Sequence, residues 1–131
     1  MKTILLLALM LAGAPPQAQA PEPEAAAAPR QIFLFLYRPG PAWRAERPMR
    51  EQDLRAHGVY HARLLREGRG FAGGGYVGED GGLAIVRAAS LEEARAMLAA
   101  DPAIQSGVFV AKLRQWAPRF HNDRPLVEGP R

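Results

Sequence analysis

The eight residues Gln31 to Arg38, QIFLFLYR, are a continuous apolar and aromatic run with β-branched and aromatic side chains and no helix-favouring polar face. Pro39-Gly40-Pro41 stops the run at strand length. A run of this kind reads as a central strand, covered on both faces or nearly so. The rest of the chain must therefore supply partner strands beside it and helices over it.

Residues 42–116 supply both. Ala42 to Arg47 is a polar loop holding Trp43, and Met49 to Gly68, MREQDLRAHGVYHARLLREG, reads as one long helix with Pro48 at its first turn and Gly68 as its C-terminal cap. At 3.6 residues per turn Leu54, His57, His61, Leu64 and Leu65 share a face. Gly58 lies inside this helix and costs about 1 kcal/mol relative to alanine, while leaving room for another backbone or a ligand. Gly70 to Val77 is a glycine-rich second strand, Gly78 to Gly82 a turn, and Leu83 to Ala88 a third strand, together a hairpin. Ser90-Leu91-Glu92-Glu93 is a capping box in which Glu93 is expected to reach back to the N–H of Ser90. Leu91, Ala94 and Leu98 form the buried stripe of the second helix, which Pro102 ends near Ala100. Ser106 to Trp116 is the last strand. The order βαββαβ predicts an α+β, ferredoxin-like domain over residues 31–117: a four-stranded antiparallel sheet with two helices on one face. The other face is left bare, and a second copy is the expected cover, giving a homodimer through the open sheet face.

The flanks are of a different character. Residues 1–20 read as a signal peptide: Lys2, an apolar run from Ile4 to Ala12, then small residues. The run is too short for a stable membrane span, which takes about 20 residues. Residues 21–30 form a flexible Pro/Ala/Glu tether, whose Ala25-Ala26-Ala27 offers a second cleavage site, and residues 118–131 a polar C-terminal tail carrying His121. The expected location is secreted or periplasmic.

Composition excludes several classes of chemistry. There is no cysteine, so disulfides and thiolate chemistry are absent. The net charge of +4 comes from scattered arginines, with Arg38, Arg44, Arg47 and Arg50 as the nearest thing to a cluster and no aromatic ladder among them, so no nucleic-acid partner is expected. Gly73-Gly74-Gly75 is followed by neither a helix nor a Gly-Lys-Ser/Thr signature, which argues against a phosphate loop.

The order and spacing of His57, Gly68, Arg69, Gly74, the Ser90-Leu91-Glu92-Glu93-Ala94 helix start, Asp101-Pro102 and Gly107-Val108 resemble the YCII-related (YciI-like) domain family, over about Ile32 to Trp116. The resemblance implies a dimeric α+β barrel with a site built on a histidine and an aspartate, which match His57 and Asp101. Some members of that family are implicated in degrading small aromatic or chlorinated compounds, and the wider superfamily includes muconolactone isomerases and haem-binding oxygenases. Two positions depart from the family pattern: Gly75, where a proline is common, and His61, where an aliphatic residue is usual.

A carboxylate that accepts from one ring nitrogen of a histidine fixes its tautomer and leaves the other nitrogen as an oriented base. Asp101 and His57 are assigned those roles, with Tyr60, His61 and Gly74 around the pocket. This reading makes the chain a His/Asp acid–base enzyme acting on a small organic molecule. The plainer reading of the same pair is a buried contact tying helix to strand, in a periplasmic dimerisation module that binds a small ligand or a metal. His57 and His61 are one turn apart and can share a metal, with Asp101 as a third ligand. Gly58 stands where the zinc-protease signature needs glutamate, so no metal and no cofactor is assigned.

Overall fold

The computed structural model describes residues 30–122, so the expected signal peptide, the tether up to residue 29 and the end of the C-terminal tail lie outside the described residues. Among the described residues four strands are formed: β1 (Gln31–Pro39), β2 (Gly70–Gly75), β3 (Gly82–Ala88) and β4 (Phe109–Trp116). They lie in the order β2-β3-β1-β4 with every neighbouring pair antiparallel. Three helices join them: α1 (Arg55–Arg66), α2 (Leu91–Ala99) and the single turn α3 (Pro102–Gln105). This is a ferredoxin-like α+β fold.

The apolar run of β1 resolves into two faces. Phe33, Phe35 and Tyr37 are buried, and they join Ala84, Val86 and Ala88 of β3 against Tyr60 and Leu64 of α1, Ala94 and Met97 of α2 and Ala103 of α3. Ile32, Leu34 and Leu36 point the other way and are only half-buried, as are Leu83 and Ile85 beside them. In the single chain β1 is thus covered on one face, not two, because all the helices pack on the same side. Continuous apolarity marked a strand with two dry faces, and the second is dry only if something else covers it.

The segment expected as one helix from Met49 is broken. Met49–Glu51 is a 3-10 turn, and Gln52 is extended, with φ −76° and ψ 155°. The buried Gln52 side chain explains the break: its Oε1 accepts from the N–H of Arg44 at 3.1 Å, and its Nε2 donates to the carbonyls of Arg44 and Arg47 at 2.7 and 2.9 Å. These bonds hold the preceding loop, and Met49–Gln52 follows that loop instead of the helix. Gly68, at φ +67°, ends α1 in a Schellman arrangement, its N–H donating to Leu65 and that of Arg69 to Leu64.

At α2 the Ser90 hydroxyl accepts from Glu93 N–H at 3.1 Å, as a capping box requires, but the Glu93 carboxylate reaches Ala89 N–H at 2.6 Å rather than Ser90. Its other oxygen accepts from Arg69 at 2.9 Å, which pulls the side chain toward the end of β2. The buried stripe runs through Ala94 and Met97, while Leu91 is exposed. α3 was not foreseen. Pro102, which ends α2, occupies the first turn of α3, where its missing N–H is harmless, and Asp101 caps that turn by accepting from Ala103 N–H at 2.9 Å. The last strand accordingly begins at Phe109 rather than Ser106, after Gly107 at φ +75°.

Candidate active site

Three elements of the helical face converge at one end of the sheet. Period two along β1 places Tyr37 in line with Phe33 and Phe35, at the strand's far end. The i, i+4 spacing on α1 sets His57 and His61 edge to face, with ring centroids 4.6 Å apart. The N-cap position of α3 delivers Asp101, whose carboxylate is wholly buried while both histidines keep 19% side-chain exposure.

The Asp101 carboxylate is the hub. Its Oδ1 accepts from His57 Nδ1 at 2.8 Å and from Ala103 N–H at 2.9 Å. Its Oδ2 accepts from the Tyr37 hydroxyl at 2.7 Å, and lies 3.0 Å from His57 Nδ1 and 3.2 Å from His61 Nε2. Burial alone would raise the pKa of this carboxyl, but the hydrogen bonds from His57, His61, Tyr37 and Ala103 outweigh it and hold the group well below the usual carboxylate range. Asp101 is an anion in the fold. Burial, then the negative charge and hydrogen bond of Asp101, push the Tyr37 phenol far above its ordinary value, so Tyr37 is neutral and keeps its one proton.

These facts determine the neutral tautomers. An ionised carboxylate only accepts, so His57 carries its proton on Nδ1 and leaves Nε2 bare. Tyr37 gives its only proton to Asp101, so its oxygen can only accept from His61 Nε2, 3.0 Å away. His61 therefore carries its proton on Nε2 and leaves Nδ1 bare.

Both histidines border a cavity of about 280 Å³ between α1 and the glycine-rich end of the β2–β3 hairpin. Its walls are apolar: Met49, Leu54 and Leu65 on one side, Ala72 to Gly75 on the other, with Phe109 at the back. Gly74 is part of this wall, and a side chain added there would meet nothing within 4 Å. Tyr60, expected at the pocket, turns into the core instead. It is buried, donates its hydroxyl to the Met97 carbonyl at 2.6 Å, and does not border the cavity. His121 is exposed. Tyr37 is the site residue that sequence reasoning missed. Its signal was a polar tip ending the buried Phe33–Phe35 stripe.

The ligating atoms of His57, His61 and Asp101 lie within 4.8 Å of one another, so among the described residues they form a group that could hold a metal. Their present spacing is that of hydrogen bonds. Two ligands of a tetrahedral zinc with ~2.0 Å bonds stand about 3.3 Å apart, against the 2.8 Å between His57 Nδ1 and Asp101 Oδ1. Among the described residues no helix is long and apolar enough to cross a membrane.

A family model described as "YCII-related domain" matches residues 32–117. Among solved structures, the chain is similar to 5-chloro-2-hydroxyhydroquinone dehydrochlorinase (TftG) from Burkholderia phenoliruptrix AC1100, in complex with 2,5-dihydroxybenzoquinone. The likeness has 25% sequence identity and a TM-score of 0.52, and covers 70% of this chain and 99% of that one. No curated protein matches the chain.

Proposed function

This chain belongs to the YCII-related domain family, and on that premise we propose that it is an acid–base enzyme in which His57 takes a proton from a small hydroxylated organic molecule, with Asp101 as the residue that positions it. One observation carries the reading. His57 is held through Nδ1 by a buried carboxylate at 2.8 Å, has no other hydrogen bond among the described residues, and borders an apolar cavity. An imidazole fixed in this way presents an oriented base to whatever fills the cavity.

The size and lining of the cavity suit a small, flat, mostly apolar molecule rather than a polymer or a nucleotide. The similar dehydrochlorinase acts on a chlorinated hydroxyhydroquinone, which supports a hydroxylated ring as the substrate class. On such a ring the base takes a hydroxyl proton. The O–H pair becomes a C=O π bond and the displaced ring π pair takes a proton at the halogen-bearing carbon; loss of a second hydroxyl proton then forms another C=O while the halogen leaves with the C–halogen pair as halide. We also propose that the protein works outside the cytoplasm, from the leader-like residues 1–20, and as a homodimer that covers Ile32, Leu34 and Leu36.

The test uses 2,5-dihydroxybenzoquinone as ligand and 5-chloro-2-hydroxyhydroquinone as substrate. Wild type is expected to bind the first and turn over the second. His57→Asn, whose amide can keep the bond to Asp101 while losing the bare nitrogen, is expected to bind but to lose turnover by roughly 10²-fold or more. Binding without turnover by wild type would leave a binding module. Equal turnover by the variant would remove His57 from the chemistry.

A further inference from the structure

We infer that His61 is a second proton-transfer group in the same cavity, so that the site serves a proton-shift isomerisation: a proton leaves one atom of an enolisable or phenolic molecule and another is returned elsewhere on it. The inference rests on the acid–base reading of His57 and adds its partner.

The disposition of hydrogen-bond donors and acceptors points to this role. Asp101 accepts and does not donate, Tyr37 has one proton and spends it on Asp101, and the two imidazoles are therefore held through opposite ring positions: His57 by Nδ1 and His61 by Nε2. Each leaves its other nitrogen without a hydrogen bond among the described residues. The rings are 4.6 Å apart, both border one cavity, and both keep the same 19% exposure. A histidine needed only to steady Asp101 would duplicate contacts that Tyr37, His57 and Ala103 already make. The groups facing His61 are His57, Tyr37, Tyr60 and Asp101. Tyr60 meets it edge-on at 5.4 Å and gives its hydroxyl to Met97, so it does not occupy the bare nitrogen.

The step balances without any co-reactant. His57 Nε2 takes a proton from a C–H or O–H beside a carbonyl or enol. The bonding pair becomes a π bond, and the displaced π pair forms a bond to the proton that His61, having first taken one from water on its bare Nδ1, gives up there. The substrate is isomerised with no net change in protons. His57 ends protonated and His61 neutral, and exchange with water at the open cavity resets the pair.

Exchange of the ring C–H of 2,5-dihydroxybenzoquinone for deuterium, followed by proton NMR in deuterium oxide, requires both a delivery to carbon and a removal from it. The full chain is expected to accelerate the exchange, with a rate that falls at both acid and alkaline pH. His61→Gln, whose amide nitrogen can keep the contacts to Tyr37 and Asp101, is expected to fold and bind as wild type, to slow exchange by about 10²-fold and to lose the alkaline limb. His61→Ala should regain rate when imidazole is added. The inference is overturned if His61→Gln exchanges at the wild-type rate, if its loss tracks weaker binding with an unchanged pH profile, or if a chelator abolishes the wild-type rate. The first two outcomes leave the role of His57 intact, and the third would assign His57 together with His61 to a metal site. Unchanged exchange in His57→Asn would bring down the acid–base reading itself.

Discussion

Tyr37 donates its hydroxyl to Asp101 at 2.7 Å, joining the end of β1 to the N-cap of α3 across 64 positions of sequence. The bond does two things. It fixes the carboxylate that holds both imidazoles, and it commits the phenol proton, so that the oxygen can only receive from His61.

Tyr37→Phe removes this bond while keeping the ring and its edge contacts to His57, His61 and Phe35. Asp101 Oδ2 retains His57 and His61 as donors, so the cost should be that of one hydrogen bond to a charged group, about 1.5–3 kcal/mol. Urea unfolding should show a lower midpoint with an unchanged slope. A variant as stable as wild type would mean that the hydroxyl contributes nothing net.

Asp101→Asn should be far more costly, roughly 3–5 kcal/mol near neutral pH, because it removes the charge that two imidazoles, a phenol and a backbone N–H all address. Its pH dependence has a definite sign. The folded-state pKa lies below the unfolded one, so the stabilisation is complete above the unfolded value of about 4 and fades as pH falls through it toward the folded value. The gap between wild type and Asp101→Asn should therefore be widest above about pH 5 and close progressively below pH 4. Unfolding curves for both proteins across that range measure the gap, and a gap independent of pH would contradict the network.

The parts of this site that could be read in the sequence were those that obey local periodicity. Spacing of i, i+4 on α1 is enough to bring His57 and His61 together, and Pro102 is enough to end α2 near Ala100. The succession of strands and helices followed from apolar runs and glycine-rich turns, because each partner of β1 is a short run of its own. What stayed hidden depends on contacts between distant residues. Gln52 breaks the expected helix through bonds to Arg44 and Arg47, which no helical pattern records. Tyr37 looked like the third aromatic of a buried stripe, and only the arrival of α3 beneath α1 gives its hydroxyl a partner. Tyr60 is expected at the pocket with His61, yet neighbouring helical positions diverge by about 100°, and it points into the core. Asp101 was read as an orienter of histidine. Its second task, capping α3, required that α3 exist.

Gly58 sits in the interior of α1, borders the cavity, and has open space where a Cβ would stand. Gly58→Ala should therefore stabilise the free protein by about 0.5–1 kcal/mol, since nothing in the fold opposes the methyl group and the helix gains by it. The same methyl narrows the cavity beside His57 and His61. The expected result is a higher melting temperature together with weaker binding of 2,5-dihydroxybenzoquinone, read in one thermal-shift titration. Higher stability with unchanged binding would show that the ligand stays clear of this turn of the helix.

The open face of the sheet is expected to be where two copies meet. Ile32, Leu34 and Leu36 of β1 and Leu83 and Ile85 of β3 are half-buried side chains on a surface that no helix of the described residues covers. Leu34 lies on β1, one of the two inner strands, paired with Ile85 on one side and Arg114 on the other, so a charge placed there cannot reach solvent by bending around a sheet edge. In a two-fold interface each substitution enters twice, so Leu34→Arg should bury two like charges and prevent association while leaving the monomer folded. Light scattering after size exclusion should give a dimer mass for wild type and a monomer mass for the variant, with matching circular dichroism. A monomeric wild type, or a variant that still dimerises, would remove this face as the interface.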